Sequence, residues 1–348
     1  MKLIILTDYR NQFYSSTRER GGSVNLSVLS GLFIKLGLDV VVKKFSEIDF
    51  VREDFDGVFI LYQSSEDPGL HYKEYIEDIL LGLKLKGAIL IPDFFKFRAH
   101  HNKVFMEIYR DVILGKQVDT GIQAKYFGSL EDYQSSSIPL KFPSVLKPSE
   151  GSRSRNVSLL KDLNNSMSAI RKVSFSLTFQ NIKREVLNMF DKKGYRKISQ
   201  NRKKFIIQEY VSGLIGDYKV LVYSDKYFVL WRDNRTNDFR ASGSGKLSFP
   251  IDVPVSLLNF ARDVYECLDV PYISMDIAQS ASGQNYLLEF QFLMFGQHTL
   301  EKSKHHFVSN ENGWRRICEE VVLEEQLAKS VYEYISHLTK DKKYLQLN

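Results

Sequence analysis

Cysteine is scarce in this chain. Its 348 residues contain only Cys267 and Cys318, far apart and without the close spacing of a thiolate metal site. That argues against a disulfide framework and suggests two small hydrophobes in the interior. Long apolar runs are also missing. No stretch approaches the ~18 uninterrupted apolar residues of a membrane span. The opening MKLIILTDYR is a short strand followed by polar sequence rather than a secretory leader. A cytoplasmic protein with no membrane partner is expected. Internal repeats and low-complexity tracts are absent as well, which excludes solenoids and arrays. The excess of one charge sign is small: 48 basic against 42 acidic residues give +6. Much of it sits in DKKGYRKISQNRKK, Asp191–Lys204. With no stacking-aromatic motif beside it, the run reads as a solvated face, and a nucleic-acid partner is disfavoured.

What remains is an ordinary globular composition, 43% apolar and 26% charged, long enough for two or three domains or subdomains. Strand and helix alternate through the first hundred residues. Leu3–Leu6, Asp39–Val42, Gly57–Tyr62 and Ala88–Ile91 have strand character, and Val24–Leu36 and Tyr75–Leu85 have helical spacing. This predicts a parallel α/β sheet with ligand loops beyond the carboxyl ends of its strands. The loop Thr7–Ser23, with Arg18, Arg20, Gly21 and Gly22, is therefore a candidate for an acidic substrate or a plain surface loop. Beyond Arg98 the pattern becomes α+β. A helix is predicted over Lys103–Val112 and a strand over Ser144–Pro148. A mostly helical stretch covers Met167–Phe190, and a strand covers Phe205–Val211. Tyr218–Tyr223 and Tyr227–Trp231 read as a hairpin turning at Ser224-Asp225, followed by a helix over Val255–Leu268. The charged end from Lys340 reads as a loose tail.

The segment PYISMDIAQSASGQNYLLEFQ, Pro271–Gln291, carries the strongest chemical signal. Asp276 lies inside one apolar run and Glu289, thirteen residues on, ends another, with Gly283 at a turn between them. In a hairpin these acids come side by side on one face, and Gln291 faces the same way as Glu289. A carboxylate among apolar strand residues is costly unless a cation accompanies it. Two acids and an amide oxygen form a donor set for a hard cation such as Mg²⁺. Taken alone, the pair is equally consistent with solvated acids on a surface hairpin.

Several further features stand in order around it. Lys147 lies in SVLKP, before the Ser/Gly/Arg loop EGSRSRNV. The strand ending Gln208-Glu209-Tyr210-Val211 follows, then Asp217-Tyr218-Lys219, the segment NDFRASGSGK with Arg240, and the two acids. This order resembles the ATP-grasp superfamily, within it most closely the RimK-like branch of ribosomal-protein glutamate ligases. The resemblance covers roughly Ala99–Phe295. The α/β region before it is similar to a pre-ATP-grasp domain.

The resemblance implies a division into residues 1–97 as pre-ATP-grasp domain and 98–340 as ATP-grasp domain. The central subdomain would take about 140–211, the C-terminal subdomain about 212–340, and 341–348 would be a tail. It implies ATP as cofactor with Mg²⁺, or Mn²⁺ in its place, and a reaction joining a small-molecule or peptide carboxylate to an amine or thiol. A phosphotransferase acting on a hydroxyl, or a nucleotide-binding module without catalysis, stands as the alternative, and an oligomer is compatible with either. Lys103 and Lys147 would contact phosphates, with Ser152, Arg153 and Arg155 in the flap that closes over them. Glu209, Tyr210 and Val211 would hold adenine and Asp217 the ribose. Arg240 and Lys219 would act on the transferring phosphoryl group. Asp276, Glu289 and Gln291 would bind metal. Two departures stand out: Lys219 replaces an arginine of the pattern Asp-x-Arg, and Gln291 replaces an asparagine. The segment after Gln291, FLMFGQHTLEKS, makes Gly296, His298 and Thr299 candidates for substrate contact. No nucleophilic triad is required, and His100, His101, His305 and His306 show no metal-ligand spacing.

Overall fold

A computed structural model describes residues 1–137, 141–151, 156–176, 198–236, 238–311 and 313–345. Leu3–Leu6 lie in β1 (Lys2–Thr7), which forms a parallel sheet with β2 (Asp39–Lys44), β3 (Phe59–Leu61) and β4 (Ile89–Ile91) in the order β2-β1-β3-β4. Leu3 through Leu6 are wholly buried, as strands covered on both faces must be. Helices α1 (Leu26–Lys35) and α2 (His71–Leu85) lie between these strands in sequence. Asn25 caps α1 by accepting from the Val28 N–H, and Leu29 and Phe33, one turn apart, point inward. α3 (Phe94–Ala99) and α4 (Lys103–Ile113) then lead out of the sheet, the second capped by the Asn102 side chain.

A smaller antiparallel sheet follows. It comprises β5 (Ala124–Phe127), β6 (Ser144–Pro148), β7 (Ser158–Leu160) and β8 (Phe205–Glu209) in the order β5-β8-β6-β7, with α5 (Leu130–Ser135) and α6 (Leu163–Ser174). Leu146, Leu160, Ile170 and Phe205 form its own core. The third sheet is antiparallel and contains β9 (Gly216–Tyr223), β10 (Lys226–Asp233), β11 (Leu247–Ser248), β12 (Tyr272–Gln279), β13 (Asn285–Gln291), β14 (His306–Asn310) and β15 (Gly313–Ile317). Its order is β13-β12-β9-β10-β14-β15, with β11 beside β10. α7 (Val255–Leu268), α8 (His298–Lys302) and α9 (Leu323–Leu345) complete the chain.

The core of the first sheet continues without a break into that of the third. Tyr14, from the loop after β1, packs edge-on against Tyr272 of β12, and α9 packs against α1. The loop Thr7–Ser23 does not offer Arg18 to an acidic substrate, because that guanidinium is held by Glu301 at 2.5 Å and Glu324 at 2.9 Å. It ties the loop to α8 and α9. Ser16 and Thr17 of the same loop face the main cavity.

Other expectations need adjustment. The mostly helical stretch predicted over Met167–Phe190 begins earlier, with α6 from Leu163 to Ser174; its remainder from 177 and most of the basic run, residues 177–197, lie outside the described residues. The loose tail predicted from Lys340 is the last turn of α9, which continues to Leu345. Neither cysteine is a buried hydrophobe: Cys267 is half-buried, Cys318 is exposed, and they are not bonded to each other. Among the described residues no helix is long and apolar enough to cross a membrane.

Candidate active site

A cavity of about 640 Å³ lies between the second and third sheets, within the size range of small-molecule sites. Its floor is the hairpin β12–β13. Asp276 stands opposite Glu289 and Ser274 opposite Gln291, so the two acids are direct cross-strand neighbours. Directly after this pair the register slips: Asp276 aligns with Glu289 but Ile277 with Leu287, leaving Leu288 as the extra residue of a β-bulge. A bulge frees backbone groups and re-aims side chains. Here the Leu288 carbonyl accepts from Lys147 Nζ and Gln208 Nε2, both at 3.4 Å, and the Leu287 carbonyl accepts from Arg110 Nη1 at 2.5 Å. Lys147 on β6 and Gln208 on β8 thus join the second sheet to the metal-type hairpin of the third.

The acids are embedded in positive charge. Asp217 of β9 lies opposite Arg232 of β10, and the Arg232 guanidinium donates to both its oxygens at 2.6 and 2.8 Å. The same Nη2 reaches Asp276 Oδ2 at 2.7 Å. Lys219 Nζ stands 3.6 Å from Asp276 Oδ1 and donates to Ser274 Oγ at 2.9 Å. Burial pushes the Asp276 carboxyl up, but Arg232 and Lys219 more than offset it and hold it down at about 2. Burial has the upper hand at Asp217, whose carboxyl is raised despite Arg232. Burial also opposes the charge on Arg232, yet Asp276 and Asp217 raise its pKa overall. Lys147, buried, is lowered below the ordinary lysine value although Glu289 and Glu107 favour its charge.

Lys103, the first residue of α4, points at the same place. Its ammonium is 3.5 Å from Glu289 Oε1 and donates to the Gly151 carbonyl at 2.8 Å, at the edge of the predicted flap. Ser152, Arg153 and Arg155 of that flap lie outside the described residues. Arg240 forms a two-pronged contact with Asp238, its Nη2 2.5 Å from Oδ2, and donates to the Val157 carbonyl at 3.3 Å, where the flap rejoins the sheet. Side-chain hydrogen bonding to Asp238 raises the Arg240 pKa. Gly243, in the turn after it, has φ +76°, a conformation glycine adopts without strain.

The structure therefore brings Lys103, Lys147, Glu209, Tyr210, Val211, Asp217, Lys219, Arg240, Asp276, Glu289 and Gln291 around one cavity. Glu209 points to its rim, accepting from the Gln123 N–H at 3.3 Å, and the Tyr210 ring meets Phe239 edge-on at 5.9 Å. Gly296, His298 and Thr299 line the other end, and the buried Thr299 hydroxyl has no hydrogen-bond partner. Sequence reasoning missed Arg232, Ser274 and the buried Glu107–Arg110 pair, 3.0 Å apart beneath the hairpin. Arg232 left a signal, since a charged residue near the end of the apolar strand KYFVLWRD raises the same question as Asp276 does.

No protein-family profile matches this chain, and no curated protein does. Solved structures do. D-cycloserine synthetase DcsG superimposes with a TM-score of 0.52 at 13% identity over 96% of this chain and 100% of that one. A RimK-domain ATP-grasp protein from Sphaerobacter thermophilus gives 0.50 at 10% identity over 96% and 99%. The chain has the ATP-grasp fold. An ADP complex of PurK, N5-carboxyaminoimidazole ribonucleotide synthetase, gives 0.51 at 12% identity over 87% of this chain and 73% of that one. The cavity lies between the two antiparallel sheets of this fold.

Proposed function

We propose that this ATP-grasp protein is an ATP-dependent ligase of the RimK-like branch, activating a carboxylate as an acyl phosphate and joining it to an amine. The observation that carries this reading is the bulged hairpin. It places Asp276 beside Glu289 while Lys103, Lys147, Lys219 and Arg232 gather on the same cavity. DcsG and PurK are both named synthetases, in keeping with bond formation. Residues 1–97 then form the pre-ATP-grasp domain and 98–340 the ATP-grasp domain, and we place the reaction in the cytoplasm.

The donor set fits a hard cation: Asp276 Oδ1 is buried without a hydrogen-bond partner, Glu289 is its cross-strand neighbour, and the Gln291 amide lies two residues on along the same face. Asp276, Glu289 and Gln291 would hold Mg²⁺, which when bound supplies charge neutralisation to the β- and γ-phosphates. The chain's own groups position and polarise. Lys147 and Lys103 meet phosphate oxygens as compact point charges. Tyr210 and Val211, where the chain leaves β8, offer backbone groups to adenine. Arg240, kept rigid by Asp238, presents a planar donor face to the transferring phosphoryl, and Lys219 approaches from the strand side. A carboxylate oxygen attacks the γ-phosphorus as the bond to the bridging oxygen breaks, releasing ADP. The amine nitrogen then attacks the acyl carbon, phosphate departs, and the amine proton is lost to solvent. Such transfer needs placement and charge, with no covalent help from the protein.

Measuring ADP and phosphate separately, across a panel of amino acids and peptides, tests the proposal. A ligase releases both only when carboxylate and amine are present together. ADP without phosphate would instead identify a phosphotransferase, and neither product under any pairing would leave a binding module.

A further inference from the structure

At one border of the cleft, outside the groups assigned above, three potential metal ligands converge. Glu66 lies in the loop after β3, and His100 and His101 lie between α3 and α4. His100 Nε2 is 3.5 Å and His101 Nδ1 is 3.4 Å from the same Glu66 Oε1. One ligand atom from each of the three falls within 4.8 Å of the others. These separations are too long for good hydrogen bonds, which for nitrogen and oxygen close at about 2.7–3.2 Å. They match another geometry: ligands ~2.0–2.1 Å from a tetrahedral ion stand ~3.3–3.4 Å apart.

His100 supplies the second observation. Its side chain is wholly buried, and neither ring nitrogen has a hydrogen-bond partner. A buried imidazole always has a polar nitrogen to satisfy, and leaving it unmet is costly. Hydrogen bonding within the described residues leaves both ring nitrogens unmet, and a cation between His100 Nε2 and Glu66 would satisfy Nε2. His101 takes φ 54°, the left-handed region, an arrangement that places its Nδ1 beside the same carboxylate.

We propose that Glu66, His100 and His101 form a binding site for a divalent transition metal of the zinc class, separate from the oxygen-ligand site at Asp276 and Glu289. Two imidazoles and one carboxylate suit Zn²⁺ and disfavour Mg²⁺, which prefers oxygen. Three protein ligands leave a fourth position. Glu66 lines the active-site cavity, so that position is available to water or to an amine or carboxylate donor in the cleft. The ion also has a positioning effect, because His101 is followed by the Asn102 cap and by Lys103. Fixing this turn against the Glu66 loop fixes the start of α4.

The site is tested by titrating the full-length, chelator-treated protein with Zn²⁺ alone, in saturating Mg²⁺, following heat of binding, metal content after desalting and thermal midpoint. Wild type should retain one equivalent and gain thermal stability. Glu66→Gln, on an exposed side chain, and His101→Gln should each weaken zinc binding by at least the ~10–100-fold that even outer-shell changes cost. Their zinc-free midpoints should stay near that of wild type. Glu289→Gln should bind zinc as wild type does, which separates this site from the proposed Mg²⁺ site and from the ligase reading. Zinc retention below one equivalent in wild type, or unchanged affinity in Glu66→Gln and His101→Gln, overturns the assignment.

Discussion

Replacing Arg232 by Met tests the electrostatic frame of the cleft most directly. Arg232 is 7% exposed, and its guanidinium makes three contacts of 2.6–2.8 Å with Asp217 and Asp276. Methionine keeps much of the volume but leaves both carboxylates without their main cation. Removing one partner of a buried ion pair costs about 3–5 kcal/mol, mostly as the penalty of the stranded charge. Lys219, 3.6 Å from Asp276, compensates in part, so the lower end, ~3 kcal/mol, is expected at neutral pH.

The pH dependence carries the sign. Asp276 is held at about 2 against an ordinary 3.8, so its contribution is full above about pH 4 and is lost as pH falls towards 2. At 1.36 kcal/mol per tenfold change in proton affinity, that amounts to roughly 2 kcal/mol. Asp217, raised by burial, has the opposite sign, and its penalty eases on acidification. Without Arg232, burial raises both acids. The deficit of Arg232→Met in urea unfolding should therefore shrink steadily from about pH 7 to about pH 3. Adding Asp276→Asn to Arg232→Met should restore part of the loss, a coupling of ~0.5–3 kcal/mol. A variant within ~1 kcal/mol of wild type, as for a surface pair, or a deficit independent of pH, would refute the argument.

Glu289→Gln should abolish ADP formation with an unchanged far-UV spectrum, and undiminished turnover would end its assignment as a metal ligand. Lys147→Ala should weaken ATP binding by about 1–3 kcal/mol in calorimetry, the cost of a lost charge-assisted hydrogen bond; equal affinity counts against a phosphate contact. Arg240→Ala should lower kcat and kcat/KM together by ~10²–10³ with little change in nucleotide Kd, and Arg240→Lys should recover only part. A large rise in Kd with kcat intact makes Arg240 a binding residue instead.

The sheets were legible where the chain follows simple periodicity. Leu3–Leu6 are uniformly apolar, and Tyr218–Tyr223 and Tyr227–Trp231 of the hairpin are rich in aromatic and aliphatic residues, so that most of their burial follows from composition. The strands that escaped reading are short or amphipathic. Ala124–Phe127 and Ser158–Leu160 are 4 and 3 residues long, below the length at which alternation can be recognised. The hairpin of β14 and β15 is half-exposed and charged, with Arg315 and Arg316 on one strand, and it forms because β10 offers an edge. Within the mostly helical stretch read over Met167–Phe190, the break after Ser174 was not legible, because no Gly or Pro marks it. The Ser174 hydroxyl bonds back to the Ile170 carbonyl at 2.7 Å, closing the last turn.

The site divides in the same physical way. The shared face of Asp276, Glu289 and Gln291 was readable because period two fixes it, and Lys147 and Arg240, each in an ordered run of motifs, line the same cavity. Arg232 was not readable, because its partners come from other strands: Asp217 across β9–β10, and Asp276 one strand further. Ordinary register sets both distances, yet no short sequence window contains them. The pairing also bears on the departure at Lys219. A lysine at that position leaves Asp276 with a contact of 3.6 Å, too long for a strong hydrogen bond. The guanidinium that does bind Asp276 tightly comes from β10 instead. A cation can thus reach one carboxylate from the adjacent strand, as Lys219 does, or from the strand beyond it, as Arg232 does. The requirement on the fold is then a guanidinium within reach of Asp276, and the strand that carries it can vary.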